Sequence, residues 1–502
     1  MNFEILAFVL YFVVVLGIGI YFFFSTKNKN SEQEYFLGGR SMGPYVTAMS
    51  AQASDMSAWL LMGLPGSILA FGFGQIWIGI GLVLGTALNW IFVAKRLRKF
   101  SKAAGDSITV PQYLSNRFLA KSPVLSVISA VVFLISFTIY VASGFVAGSA
   151  VFTTLVPSLD PQVAMLIFAA IIIFYTFMGG YKAVCWTDFF QGILMLVAVL
   201  AVPIVILVTK QAALDPTALS TVFHDAAGAE YEFVPSLFSA SWQDIVSGLS
   251  WGLGYFGMPH ILVRFMSIEK PSMVKKSATV AIIWVAISLS ATITIAYLGR
   301  MLVAEELLTQ GLQKLVFIRL ARECFPAFIS GILLAAIIAA SMSTADSQLL
   351  VASSSFTSDI YKPLFRKNAS DKEMLWVGRV VVLVVSVIAY FIASSKASGA
   401  QAIMDMVENA WGLFGAAFGP TILLSLFWKR FTYEGAVAGV VSGALIDILW
   451  FNFLTETTGV YELIPGFFGS VLVAVIVTLI SKKPSDEVLK IYEKATDPAN
   501  DD

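Results

Sequence analysis

Charge is scarce in this chain of 502 residues: Asp, Glu, Lys and Arg together make up 13%. With 58% hydrophobic residues and a mean hydropathy of +0.82, a water-soluble fold would need an implausibly large core, so the chain reads as a polytopic membrane protein. Thiols and imidazoles are nearly missing as well. Two cysteines, Cys185 and Cys324, support neither a disulfide framework nor a metal site, and two histidines, His224 and His260, make a transition-metal centre improbable. A basic leader is lacking too. The first apolar run, Phe3 to Phe24, follows Glu4 and is too long for a signal-peptide core, so it is expected to stay as a first span.

What is present is long apolar runs, near 3–24, 42–71, 74–94, 123–155, 161–179, 184–209, 243–263, 277–303, 327–357, 375–394, 403–428, 434–454 and 464–481. The expected fold is therefore all-α with thirteen transmembrane helices. Assigning the connections alternately to two sides, with the N-terminus outside, puts 26 of the 32 basic residues on the inside. The opposite orientation inverts that ratio, so the N-terminus is expected outside and the C-terminus in the cytoplasm of a cell-membrane protein. Residues 482–502 form a polar tail too short for a signalling domain.

The run SAQASDMSAWLLMGLPG, Ser50 to Gly66, carries Ser50, Gln52, Ser54, Asp55 and Ser57 at the centre of an apolar stretch. That stretch is roughly 45 Å long as a helix, against about 30 Å of hydrocarbon, so one straight span does not fit. A carboxylate at mid-membrane costs about 2.5–3.5 kcal/mol on insertion scales and normally faces a cavity, ion or partner. The simplest reading is a helix broken near Ser54 and Asp55, with free carbonyls and amides turned to an internal site. The plain alternative is an Asp55 paired with a Lys or Arg, although no basic partner at comparable depth is evident.

A second interruption, SWGLGYFGMPHILVRFM (Ser250 to Met266), packs Gly252, Gly254, Gly257 and Pro259 into the seventh run beside Trp251 and Tyr255. Gly and Pro at this density favour a second broken helix. Spans 2 to 6 and 7 to 11 then form two units that each open on a broken helix, and because five is odd the second enters from the opposite side. This predicts an inverted five-helix repeat, 32–210 against 211–430, flanked by a peripheral first span in 1–31 and two peripheral spans in 431–481. A third cluster, AASMSTADSQ (Ala339 to Gln348), sets hydroxyls and Asp346 in the ninth run. Such Ser and Thr often only bond their own helix, but two adjacent hydroxyls beside open carbonyls would also suit a small hard cation.

With those residues in place, the chain resembles the solute:sodium symporter family, and within it the proline-carrying branch. The strings that carry the resemblance are EYFLGGRSMGP (34–44), SDMSAWLLMGLPG (54–66), FTIYVASGFVAG (137–148), GGYKAVCWTDFFQ (179–191), WGLGYFGMPHILVRFM (251–266) and MSTADSQLLV (342–351). The resemblance implies co-transported Na+ held by the carbonyls of Ala53, Met56 and Ala340 and the hydroxyls of Ser343 and Thr344, with Asp55 in support. It implies a solute site lined by Ser57, Trp59, Gly63, Tyr140, Trp251, Tyr255 and Pro259, with L-proline as the small-molecule partner. Arg40 and Asp188 match positions that influence coupling on the cytoplasmic side.

Two residues depart from that pattern: Met258 stands where a Gln is expected, and Asp346 where a hydroxyl is. For Asp346, a cytoplasmic exit station for Na+ with Ser347 and Asp188 stands against a structural pair with a cytoplasmic-side Arg or Lys such as Arg379. The bilayer is the only other partner expected, with no nucleic acid and no obligate protein. Another amino acid, pantothenate or a sugar is the alternative solute. A channel would be expected to show a repeated pore motif, and an enzyme an acid/base or metal set at one membrane face; neither is apparent.

Overall fold

The computed structural model describes residues 3–25, 31–395 and 400–498. Among the described residues, ten helices are long and apolar enough to cross a membrane. Three of the thirteen expected runs are missing from those ten, near 42–71, 161–179 and 243–263, because they fold as broken or short helices. The chain is built from α1 (Phe3–Ser25), α2 (Pro44–Met56), α3 (Gly63–Phe71), α4 (Ile76–Leu88), α5 (Lys95–Ala103), α6 (Val124–Leu155) and α7 (Pro161–Thr209). It continues with α8 (Trp242–Gly254), α9 (Pro259–Ser267), α10 (Val274–Leu308), α11 (Ala327–Ser355), α12 (Asp371–Ser395), α13 (Ala400–Phe427), α14 (Tyr433–Phe453), α15 (Leu463–Ile480) and α16 (Asp486–Thr496).

Burial separates a centre from a periphery. In the apolar stretch of Ala327–Leu364, 78% of residues are buried, and in that of Ile403–Phe427 83%, against 28% for Phe3–Tyr21 and Tyr433–Phe453 and 33% for Leu463–Ile480. The last two, α14 and α15, pack chiefly on each other and on α13. At the centre, α11 packs against α1, α2, α6 and α7, which is why its hydroxyls and Asp346 all lie buried. The polar tail folds as α16 and docks on basic α5, where Tyr492 meets the ring of Phe100 and Lys429 pairs with Glu493.

Both expected breaks occur. The first lies slightly later than expected: α2 runs through Ser54 and Asp55 to Met56, and the chain leaves the helix at Ser57 with φ 45° and ψ −172°. A positive φ is uncommon for a residue with a side chain, and here the Ser57 hydroxyl offsets part of its cost by accepting the Trp59 amide at 3.1 Å. The second break spans Tyr255 to Met258, between α8 and α9, with Pro259 as the first residue of the new helix, where its missing N–H costs nothing. Asn89 clamps it by donating to the Tyr255 carbonyl at 3.0 Å. A third bend sits inside α7, at Gly180 with φ 65° and ψ 177°. A residue with a Cβ there is strained, and that Cβ would meet the Tyr35 ring at 3.0 Å.

Candidate functional site

The two breaks face each other, and Asp55 and Tyr255 join them. The Tyr255 hydroxyl donates a short hydrogen bond to Asp55 Oδ2, and the Tyr140 hydroxyl lies 3.5 Å from the Asp55 carbonyl. Asp55 is thus partnered by a phenol, not by the Lys or Arg of the plain alternative. Ser57, Trp59, Gly63, Tyr140, Trp251, Tyr255 and Pro259 are all buried around this junction. Trp59 stacks on Trp251 with centroids 5.6 Å apart, and Trp251 stacks in turn on Tyr461 (5.6 Å) and Trp411 (6.3 Å). Gly63 serves this stack, since a Cβ there would come within 2.7 Å of the Trp59 ring.

Trp411 and Tyr461 were not among the expected site residues. Trp411 donates to the Trp251 carbonyl at 2.8 Å and meets the Tyr255 ring edge-on. A signal for it does exist in the chain: WGLFG at 411–415 echoes WGLG at 251–254. Tyr461 carries no such echo. Beside the stack, a cavity of about 270 Å³ is lined by Ser67, Gln75, Trp251, Met404, Glu408 and Tyr461 among others, at the end that bears the 210–241 connection. Met258, one of the two departures from the family pattern, is completely buried in the second break and is not among the residues that line this cavity.

One helical turn away, α11 meets the end of α2. The Ser343 hydroxyl donates to the Ala53 carbonyl at 2.8 Å and lies 3.1 Å from the Ala340 carbonyl. Three of the five expected sodium oxygens therefore converge. The Thr344 hydroxyl is buried with no hydrogen-bond partner among the described residues, and Met56 is the last helical residue before the break, where carbonyls lack intrahelical donors. Hard oxygens, two of them carbonyls at a helix end and one an unused hydroxyl, suit a monovalent hard cation.

Further along α2 lies a buried polar network that spacing alone did not assemble. Asp188 Oδ2 accepts from Ser50 at 2.7 Å and Ser54 at 3.2 Å, and pairs with Arg264 at 3.1 Å, with both charged side chains buried. Arg264 also donates to Ser50 Oγ at 3.1 Å, to the His260 carbonyl at 2.9 Å and to Ser347 Oγ. Ser347 Oγ in turn lies 3.2 Å from Ser54 Oγ and 3.3 Å from Asp346 Oδ1. Arg264 is one of the 26 basic residues that the charge count assigns to the inside loops, and the fold places it buried within α9 instead. Arg379, the expected structural partner of Asp346, instead lies over the rings of Phe177 and Trp376.

Arg40 is apart from this network. Its guanidinium pairs with Asp106 at 2.7 Å and donates to Ser101 Oγ, the Ser107 carbonyl and the Met266 carbonyl, tying the 101–107 turn to the end of α9. Burial pulls its pKa down and Asp106 works against that pull.

Comparison with known proteins agrees with this geometry. The model of the Sodium:solute symporter family matches residues 35–443. Sodium/proline symporters of Staphylococcus aureus, for example strains JH9 and NCTC 8325, are 42% identical over 97% of this chain and 94% of their own length. Among solved structures, a substrate-bound outward-open Na+-coupled sialic acid symporter superposes with a TM-score of 0.73 at 21% identity, covering 97% of this chain and 99% of that one. Mhp1, a nucleobase-cation-symport-1 family transporter in a closed conformation, gives 0.54 at 14% identity, covering 93% and 99%. The two structures speak for the fold, while the family model and the near full-length relatives speak for descent: the chain belongs to the sodium:solute symporter family.

Proposed function

We propose that the protein takes up L-proline together with Na+ across the cell membrane by alternating access. The observation that carries this reading is the Ser343 contact with the Ala53 carbonyl, which ties α11 to the break in the second span beside the unused Thr344 hydroxyl. Na+ bound by Ala53, Met56, Ala340, Ser343 and Thr344, with Asp55 nearby, would hold those two elements together and so favour the solute-competent state. Coupling needs no more than that difference in affinity. One Na+ crossing 100 mV gains about 2.3 kcal/mol, enough for a solute gradient of roughly 50-fold.

Proline is a compact zwitterion with an apolar ring. Amides at the Ser57 break meet its carboxylate, while Tyr140, Trp251 and Tyr255 cover the ring. The name of the Staphylococcus relatives supports proline over the other solutes. Thirteen crossings, two inverted units at 32–210 and 211–430, and the N-terminus outside complete the reading; the breaks at Ser57 and at Tyr255 to Met258, one opening each unit, support it. Asp188, Asp346 and Ser347 form the station through which Na+ leaves. Asp188 Oδ1 and Asp346 Oδ2 are buried without hydrogen-bond partners among the described residues, which supports that role.

Purified protein in liposomes tests the proposal. Labelled proline uptake should saturate, require an inward sodium gradient and resist competition by a sugar or pantothenate. Ion flux without solute uptake, or uptake indifferent to sodium, overturns it.

A further inference from the structure

A cavity of about 470 Å³ lies away from the aromatic stack, between the end of α6, the start of α7, the end of α12 and the 312–315 connection. Hydroxyls of Ser149, Thr153, Thr154 and Ser394, the amide of Gln162 and the side chain of Lys314 line it, with apolar residues completing the wall. Lys314 is the one ionisable side chain in that lining among the described residues. It is 7% exposed, and its ammonium forms no hydrogen bond or ion pair among the described residues. Among the described residues, the buried arginines around the core have acceptors: Arg264 has Asp188, Arg300 has four backbone carbonyls, Arg117 has two.

A buried, unpaired ammonium is costly unless something compensates it. We propose that this cavity is a binding site for a small anion, either a free carboxylate or a halide, held by the Lys314 ammonium with the side-chain amide of Gln162 as a second donor. The hydroxyls of Ser149, Thr153, Thr154 and Ser394 already donate to backbone carbonyls, so the attraction comes from the Lys314 charge and the Gln162 amide, and no carboxylate competes for the lysine from within the lining. Burial holds the Lys314 ammonium down to about 8, which still leaves it charged at neutral pH.

The site is placed to matter for the rest of the fold. The 312–315 connection covers α3, the outer half of the first broken helix, where a Cβ on Gly66 would lie 3.0 Å from the Gln313 carbonyl. An anion seated against Lys314 braces this cover.

The test titrates sodium chloride or sodium acetate into the purified full-length protein at constant sodium, with bulky lactobionate as the replaced anion, and reads the unfolding midpoint. The expected result is a saturable rise of about 2 °C at ten times the half-saturating concentration, kept in Lys314→Arg and lost in Lys314→Gln, with sodium-driven uptake still measurable in both. A rise with acetate alone assigns a carboxylate ligand, and a rise with chloride as well assigns any small anion. No rise in the unaltered protein, or an equal rise in Lys314→Gln, overturns the site.

Discussion

Asp55 sits where a charge is expensive and, among the described residues, its only direct side-chain partner is a phenol, so its carboxylate is free to act on a neighbouring cation through space. Asp55→Asn keeps the size and the Tyr255 contact while removing the charge. The sodium concentration for half-maximal uptake is expected to rise about tenfold or more, which corresponds to about 1.4 kcal/mol, with normal abundance in the membrane. A sodium activation curve identical to that of the parent protein would remove Asp55 from the ion site. Ser343→Ala together with Thr344→Ala deletes the hydroxyl that donates to the Ala53 carbonyl and the unpartnered hydroxyl next to it in the chain. The expected result is again a sodium requirement at least tenfold higher at unchanged abundance; an unchanged requirement returns the pair to helix-capping serines and threonines. Asp346 tests the station on the far side. Asp346→Ser is expected to change sodium-dependent turnover in a protein of normal thermal stability, whereas a purely structural role predicts lost abundance with the turnover of surviving molecules unaltered.

The breaks and the crossing of α4 over α8 set the site's geometry at the level of elements. The two helices touch backbone to backbone: Cβ atoms built on Gly81, Gly85, Gly248 or Gly252 would collide with main-chain atoms of the partner. Small residues permit such an approach in a membrane, where packing rather than hydrophobicity drives helix association. Gly252→Ala therefore has to push α8 away, at a cost of about 1–3 kcal/mol. The expected reading is a lower unfolding midpoint together with weaker solute affinity, because Trp251 and Tyr255 ride on the same helix; an unchanged midpoint would show that the crossing relaxes without strain. The buried Asp188–Arg264 pair ties α7 to α9 and, through Ser50, to α2. Its hydrogen bonds to Ser50, Ser54, Ser347 and the His260 carbonyl fill much of the polar capacity that an ion pair in a dry interior needs filled.

Sidedness is the property that belongs to the whole molecule. In the proposed topology 26 of the 32 basic residues lie inside, and the 210–241 connection, with its two-residue strands Phe223–His224 and Glu230–Tyr231, lies outside. In a background with Cys185→Ala and Cys324→Ser, a cysteine at Phe238 is expected to react with a membrane-impermeant maleimide on intact cells, and one at Lys483 only after permeabilisation. The reverse pattern would invert the proposed topology.

The sequence by itself determined that the chain is a helical membrane protein, where it is interrupted, and which hydroxyl cluster joins the interruption. Those features are local: an apolar run, a Gly-Pro string or a carboxylate among leucines carries its cost wherever the segment lies. It also carried the family strings around Asp55 and Trp251. It could not place the first break to the residue, because Ser57 takes a positive φ that nothing in its neighbours announces. Pairing was decided only by the tertiary structure. Arg264 looked like a loop cation until α9 carried it inward to Asp188; Arg379 lay near Asp346 by chain order yet packs on aromatic rings; and Tyr461, from the last part of the chain, closes a stack begun by Trp59. Each of these contacts joins residues far apart in the chain, and their geometry follows from how the helices cross rather than from the spacing of residues within any one of them.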